Sequence, residues 1–209
     1  MNKLYCLLIA LAILTASAKA QNDPAVKKIL DAVTTNLKTY KGINAGFTLL
    51  SKSQSGKINN NVNGKISIKG NKYYIKEGDT EIFSDGNKTW NYNGNDEVTV
   101  TAADEDEQAL TPQKILTGFS DKDFTYKLVS STGNFNEIQL APIDKRKNFK
   151  KVNLFVDKSR MIITKAKVVD KSSNTIDFKL NNINTNADIA DNTFVFNQKK
   201  YNKDIEVIE

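Results

Sequence analysis

The chain has 209 residues, with 30 Lys and Arg against 24 Asp and Glu, a single cysteine and no histidine. Without imidazole, and with no second thiol, it lacks the commonest general base, any disulfide and most zinc ligands, so few enzymatic options remain. A net charge of +6 with interspersed signs permits steering toward acidic partners or lipid headgroups but carries no nucleic-acid footprint.

The first twenty residues read as an export signal. Met1-Asn2-Lys3 supplies the positive end, Leu4 to Ala16 a short apolar run containing Cys6, and Ser17-Ala18-Lys19-Ala20 the small-x-small cleavage pattern, which places Gln21 at the mature N-terminus. The net charge of +6 falls by two, to +4, once Lys3 and Lys19 leave with this leader. Residues 21–209 then form one domain, with no internal repeat and no composition break.

The mature chain opens on a predicted helix. Asp23 is a suitable N-cap and Pro24 a suitable first residue; Val26, Ile29, Leu30, Val33, Leu37 and Tyr40 form an apolar stripe, with Gly42 as a left-handed cap. From Ile43 the period changes to two. Ile43, Ala45, Phe47 and Leu49 alternate with small or polar residues, as do Val62, Gly64, Ile66 and Ile68, and then Tyr73 and Ile75 after a Gly70-Asn71 turn. Short strands at Glu81–Ser84, Thr89–Tyr92 and Val98–Thr101 are separated by Asp85-Gly86 and Asn93-Gly94, expected as hairpin turns with positive φ at both central positions.

Asp104-Glu105-Asp106-Glu107 reads as a solvated acidic run lacking the Gly and Asn pattern of a calcium loop. Thr111-Pro112 starts a short helix carrying Ile115 and Leu116 and ending at Gly118. Strands resume at Phe124–Leu128, Asn136–Leu140, Val152–Val156, Met161–Val169 and Thr175–Leu180. A helical turn at Asp188–Asp191, a strand at Thr193–Phe196 and a last edge strand through Ile205, Val207 and Ile208 complete the expectation. The architecture is mainly β: one twisted, mostly antiparallel sheet with few helices.

No chemistry of catalysis or metal binding stands out, so no catalytic residue, metal site or cofactor is expected. The acids cluster in turns, and the glycines are scattered singly, with no phosphate-cradling loop. Apolar burial is the more productive theme. Phe47, Leu49, Ile66, Ile68, Tyr73, Ile75, Trp90, Tyr92, Val98 and Val100 are read as sharing one parity, and so one face, with Leu116 on the helix above it. These residues either fill a core or line an apolar pocket that scarce helices only partly cover.

The segment Ser84-Asp85-Gly86-Asn87-Lys88-Thr89-Trp90-Asn91-Tyr92-Asn93 resembles the signature hairpin of the periplasmic outer-membrane lipoprotein carrier family (LolA-like), S-D-G-x-x-x-W-x-Y. Gly46-Phe47-Thr48, the Thr111-Pro112 helix and Asn192-Thr193-Phe194-Val195-Phe196 are similar to family segments in the same order. The resemblance implies an incomplete, open antiparallel β-barrel whose concave face is covered by a few helices. It further implies an apolar cavity for the acyl chains of lipoproteins, carried through the periplasm by a monomer. An inner-membrane lipoprotein-releasing complex would be the donor and an outer-membrane protein the acceptor. Lys69-Gly70 stands where the family has Arg-Pro, which makes Lys69 the candidate for closing the lid, and Tyr73 falls near the family's cavity mouth. Two other readings remain open: a lipid- or glycolipid-binding or envelope-stress-sensing protein of the same fold, and a structural β-protein whose apolar parity is all core.

Overall fold

The structure, a computed structural model, describes residues 22–103, 122–201 and 204–209. Helix α1 (Pro24–Thr39) starts where the sequence places it: Asp23 accepts a hydrogen bond from the Ala25 amide at 2.8 Å, and Pro24 needs no partner for an N–H it lacks. Its buried residues are Val26, Leu30 and Val33. The helix ends on an extended Tyr40, and Gly42 lies outside the left-handed region. The expected glycine cap is thus replaced by a different requirement. Gly42 bridges to Asn186, and a Cβ there would sit 2.7 Å from the Ala187 carbonyl oxygen.

Twelve strands follow: β1 (Ile43–Lys52), β2 (Ile58–Lys69), β3 (Lys72–Glu77), β4 (Thr80–Ser84), β5 (Lys88–Tyr92), β6 (Glu97–Ala102), β7 (Phe124–Ser130), β8 (Phe135–Pro142), β9 (Phe149–Asp157), β10 (Ile162–Asp170), β11 (Thr175–Asn184) and β12 (Glu206–Ile208). They form one sheet in the order β12-β6-β5-β4-β3-β2-β1-β11-β10-β9-β8-β7. Two runs of hairpins are joined through the β1–β11 pair, and β12 lies parallel beside β6. The sheet does not close on itself; β7 and β12 are its two ends. It is the open, mainly β architecture expected.

The turns are built differently from expectation. Gly86 and Gly94 have φ of +93° and +86°, but Asp85 and Asn93 are not in the positive region. Their side chains do the work instead. Asp85 Oδ1 accepts from the Asn87 and Lys88 amides, and Asn93 Oδ1 from those of Asn95 and Asp96. Three- and four-residue loops result in place of two-residue mirror-image turns.

Register separates the two faces of the sheet. Phe47 lies opposite Leu180 on one side and Gly64 on the other, Ala45 opposite Ile66, Ile68 opposite Tyr73, and Ile75 opposite Ile82. The same face continues through Phe178, Ala166, Leu154 and Ile138. This inner face meets α1, which packs on β7 and β10, and their side chains make one continuous apolar cluster.

After β11 the chain crosses to the outer face of β3–β6. Ala187, Ile189 and Phe194 pack there with Tyr74, while Phe196, Tyr201 and Ile205 join Tyr92, Val98 and Trp90. The strand expected at Thr193–Phe196 is in fact a 3-10 turn over Asp191–Phe194, because Phe194 must turn back to bury completely. The last edge strand forms as β12.

Candidate functional site

On the inner face, β1, β2 and β3 present Phe47, Ile66, Ile68, Tyr73 and Ile75, all buried, with Leu49 half-buried beside them. Alternation puts each on this side because strand side chains repeat every two residues. Gly64 faces Phe47, and a Cβ at position 64 would collide with the Phe47 ring and the Lys76 carbonyl. The missing side chain is what lets the ring lie flat against the sheet.

Beyond β3 the inner face changes character. Ile82 is followed by Ser84 and Thr89, then by Asn91, Thr99 and Thr101, which register places in the same rows. The Tyr73 hydroxyl lies 3.5 Å from Thr89 Oγ1, itself 3.5 Å from Ser84 Oγ. The surface therefore grades from hydrocarbon on β7–β11 and β1–β3 to hydroxyl and amide on β4–β6. An amphiphile laid along it would meet apolar side chains at one end and hydrogen-bonding groups at the other.

Trp90, Tyr92, Val98 and Val100 correct the sequence reading. Trp90 pairs with Phe83 and Val100, and Tyr92 with Glu81 and Val98, so all four point to the outer face, away from Phe47, Leu49, Ile66, Ile68, Tyr73 and Ile75. Their apolar character serves the C-terminal segment that covers them. Tyr92 lies 4.7 Å from the Tyr201 ring and 6.0 Å from that of Phe196. Leu116 and the helix expected from Thr111, like the acidic run from Asp104 and the leader, lie outside the described residues.

The lid that Lys69 is expected to close lies outside the described residues; the partners described for Lys69 are in the C-terminal segment. Its ammonium donates to the Ile189 carbonyl at 3.0 Å and pairs with Asp191 at 2.8 Å, where Lys72 joins at 3.2 Å. Hydrogen bonds from both lysines hold the Asp191 carboxyl below its ordinary value. Lys69 thus anchors the C-terminal segment to the β2–β3 turn.

Sequence reasoning missed a polar cluster under that segment. Glu81 is buried, pairs with Lys76 and accepts from the Tyr201 hydroxyl at 2.9 Å. Burial, reinforced by the Glu81 charge, pushes Tyr74 up to about 12, and burial with the bond to Glu81 raises Tyr201 as well. A lone acid within Thr80–Ser84, at a position alternating with Ile82, was the available signal.

An open sheet with a helix across an apolar inner face offers a surface on which apolar matter can be sheltered. The family profile described as outer membrane lipoprotein carrier protein LolA matches residues 38–197, and the chain belongs to that family. Among solved structures, an uncharacterised conserved protein from Thermus thermophilus matches with a TM-score of 0.59 and 14% identity, over 88% of this chain and 98% of that one. MucB matches with a TM-score of 0.51 and 12% identity, over 84% of this chain and 64% of its own. A LolA superfamily protein from Nitrosomonas europaea matches with a TM-score of 0.47 and 13% identity, over 81% and 97%. No significant match was found among curated protein sequences. The family defines a lipid- or lipoprotein-binding role; the cargo and its route are a separate matter.

Proposed function

We propose that this protein is a periplasmic carrier that shelters the acyl chains of lipoproteins against its inner face and moves them from the inner to the outer membrane. The observation that carries the reading is the inner face itself. It is hydrocarbon without interruption from Tyr126 and Ile138 to Phe47, Ile66 and Ile75, one apolar cluster that spans the sheet while α1 is seated on β7 and β10. Leu49, Phe47, Ile66, Ile68, Tyr73 and Ile75 are the proposed lining among the described residues. An inner-membrane lipoprotein-releasing complex would load the protein, an outer-membrane acceptor would unload it, and residues 1–20 would direct export.

Energetics agree with a carrier that others load and empty. Each CH₂ removed from water is worth about 0.8 kcal/mol, so a fully buried sixteen-carbon chain gains roughly 12 kcal/mol gross. Phe47, Ile66, Ile68 and Ile75 are already buried in this structure, so cargo gains only the difference between its own contacts and those it displaces. That difference keeps binding reversible.

Saturable binding of a fluorescent fatty acid tests the reading, with two neighbouring substitutions that differ in direction. Leu49→Glu puts a charge on the inner face and should abolish saturable binding. Thr48→Glu, one residue earlier and facing outward beside Lys179, should leave it within about twofold of wild type. Equal effects of the two, or no saturable site in the wild type, would overturn the proposal. A lipid-binding, envelope-stress-sensing protein of the same fold is the second reading; MucB, which shares the fold, has been solved in complex with MucA. Release of probe on addition of a partner protein, without onward transfer to membranes, would favour it.

A further inference from the structure

The outer face of β7–β11 has no covering segment among the described residues, and its composition is unlike the rest of the sheet. Lys127, Lys165, Lys167 and Lys179 point outward from neighbouring strands, and Lys65 does so from β2. None of these lysines makes an ion pair with a described carboxylate. Three acids share the surface, one of them Asp157, which the register sets opposite Phe135 and which is taken up by Arg160. Glu137 accepts from Asn153 at 2.6 Å, and Asp177 lies across from Lys167 with one carboxylate oxygen buried and unbonded. Positive charge dominates the patch.

Within it lies a pocket of about 420 Å³. Phe155 and Phe135 give it apolar walls on the outer face, Ile183, which also packs on the inner cluster, completes the lining, and Lys165, Lys179 and Arg160 stand around them. The Lys165 ammonium sits 4.8 Å above the Phe155 ring. Arg160 is already paired with Asp157 at 3.1 Å, which leaves the two lysines as the available cations. Phe135 is 42% exposed at the rim, on the strand that follows the Gly133 turn. Two ammonium groups with no ion pair to a described carboxylate beside an aromatic floor, with one more aromatic exposed at the edge, fit a ligand that is anionic at its head and apolar just below.

We propose that this outer-face pocket seats the headgroup of an anionic phospholipid, so that the protein rests on a negatively charged bilayer with the uncovered side of β7–β11. The phosphate would meet Lys165 and Lys179, the glycerol and first methylenes would meet Phe155, and Phe135 would enter the headgroup layer. Lys127, Lys167 and Lys65 add attraction without specific geometry, since an ammonium acts as a point charge. The opposite face, with its apolar inner cluster, stays turned away from the lipid. Cargo exchange and membrane contact then use different sides of one sheet.

Cosedimentation of the full mature chain with vesicles tests the assignment. Vesicles containing phosphatidylglycerol should bind it, pure phosphatidylcholine vesicles should not, and raising the salt to about 0.5 M should release it. Each lysine near an anionic surface contributes about fivefold in affinity, so Lys165→Gln with Lys179→Gln should weaken binding about 25-fold. Phe135→Ser should weaken it further at constant charge. Fatty-acid probe binding to the same variants should be unchanged, which separates this site from the inner face. Wild-type binding by the double variant would overturn the proposal, as would equal binding to neutral vesicles. So would soluble polyglutamate binding the wild type as tightly as vesicles do, since the surface would then be a seat for acidic protein.

Discussion

Asp157 closes the turn between β9 and β10 almost by itself. Its Oδ1 accepts from the Ser159 amide at 3.0 Å, the Ser159 hydroxyl at 2.7 Å and the Arg160 amide at 3.0 Å, while Oδ2 takes the Arg160 guanidinium. Met161 leaves the turn with φ at +47°, a conformation that a side chain adopts only when its surroundings impose it. The Arg160 carbonyl in turn accepts from the Tyr40 hydroxyl at 3.1 Å, so the turn also fixes the end of α1. Burial alone would raise this carboxyl, but the hydrogen bonds from Ser159 and Arg160 outweigh it and hold it at about 2, against an ordinary 3.8. A folded-state value below the unfolded one means the charged form stabilises the fold. The contribution, on the order of 2 kcal/mol, is complete above about pH 4 and drains away as pH falls toward 2. Asp157→Asn should therefore lower stability at pH 7 by about that amount and flatten the acid limb of the curve. Denaturant titrations at pH 7, 4 and 2.5 check it; parallel curves for variant and wild type would contradict it.

The C-terminal segment holds to the outer face by two kinds of contact of unequal strength. Asp191 bridges Lys69 and Lys72 in the open, with its side chain 63% exposed, and exposed pairs contribute little after screening. Phe194 is fully buried with Ala187, Ile189 and Tyr74. Phe194→Ala should cost about 3–5 kcal/mol, because the cavity it leaves is walled by strands that cannot collapse into it. Asp191→Ala should shift the melting temperature only slightly. Thermal melts of the two variants rank them, and a larger loss from Asp191→Ala would mean that charge, not packing, anchors the segment. Only part of this element was legible in the sequence. Ile205, Val207 and Ile208 announced an edge strand and one formed, but Phe194-Val195-Phe196 alternates like a strand and is not one. Its two rings face different partners, Phe194 packing with Tyr74 and Phe196 with Tyr92 and Tyr201, and local period carries no information about that choice.

The whole sheet shows why the open β architecture could be read from the chain and the facing of Trp90, Tyr92, Val98 and Val100 could not. Period-two alternation gives the two faces of each strand, yet which face is inner depends on how many residues each turn holds. The two-residue Gly78-Asp79 loop pairs Tyr73 with Ser84, and the three-residue Asp85–Asn87 loop pairs Ser84 with Thr89. Trp90 then faces away from Tyr73, and the bulk of Trp90 and Tyr92 belongs to the outer cover. A sheet that stays open must also guard its two ends against pairing with other chains. At one end Asn22 mimics a strand residue, its amide donating to the Phe124 carbonyl at 3.3 Å and its oxygen accepting from the Tyr126 amide at 2.9 Å. At the other end β12 lies along β6, pairing Glu206 with Glu97 and Ile208 with Thr99. The strand is exposed along its length, so its packing adds little; its effect is to occupy the hydrogen-bonding groups of β6. A chain ending at Ile205 keeps that buried side chain in place against Tyr92 and Val98 and loses only the guard. It should melt within a few degrees of the full protein but associate as concentration rises, because the bare edge of β6 can pair with that of a second copy. Sedimentation velocity over a concentration series decides the matter. A truncated chain that stays monomeric like the full one would show that β6 needs no cover and that β12 serves some other end.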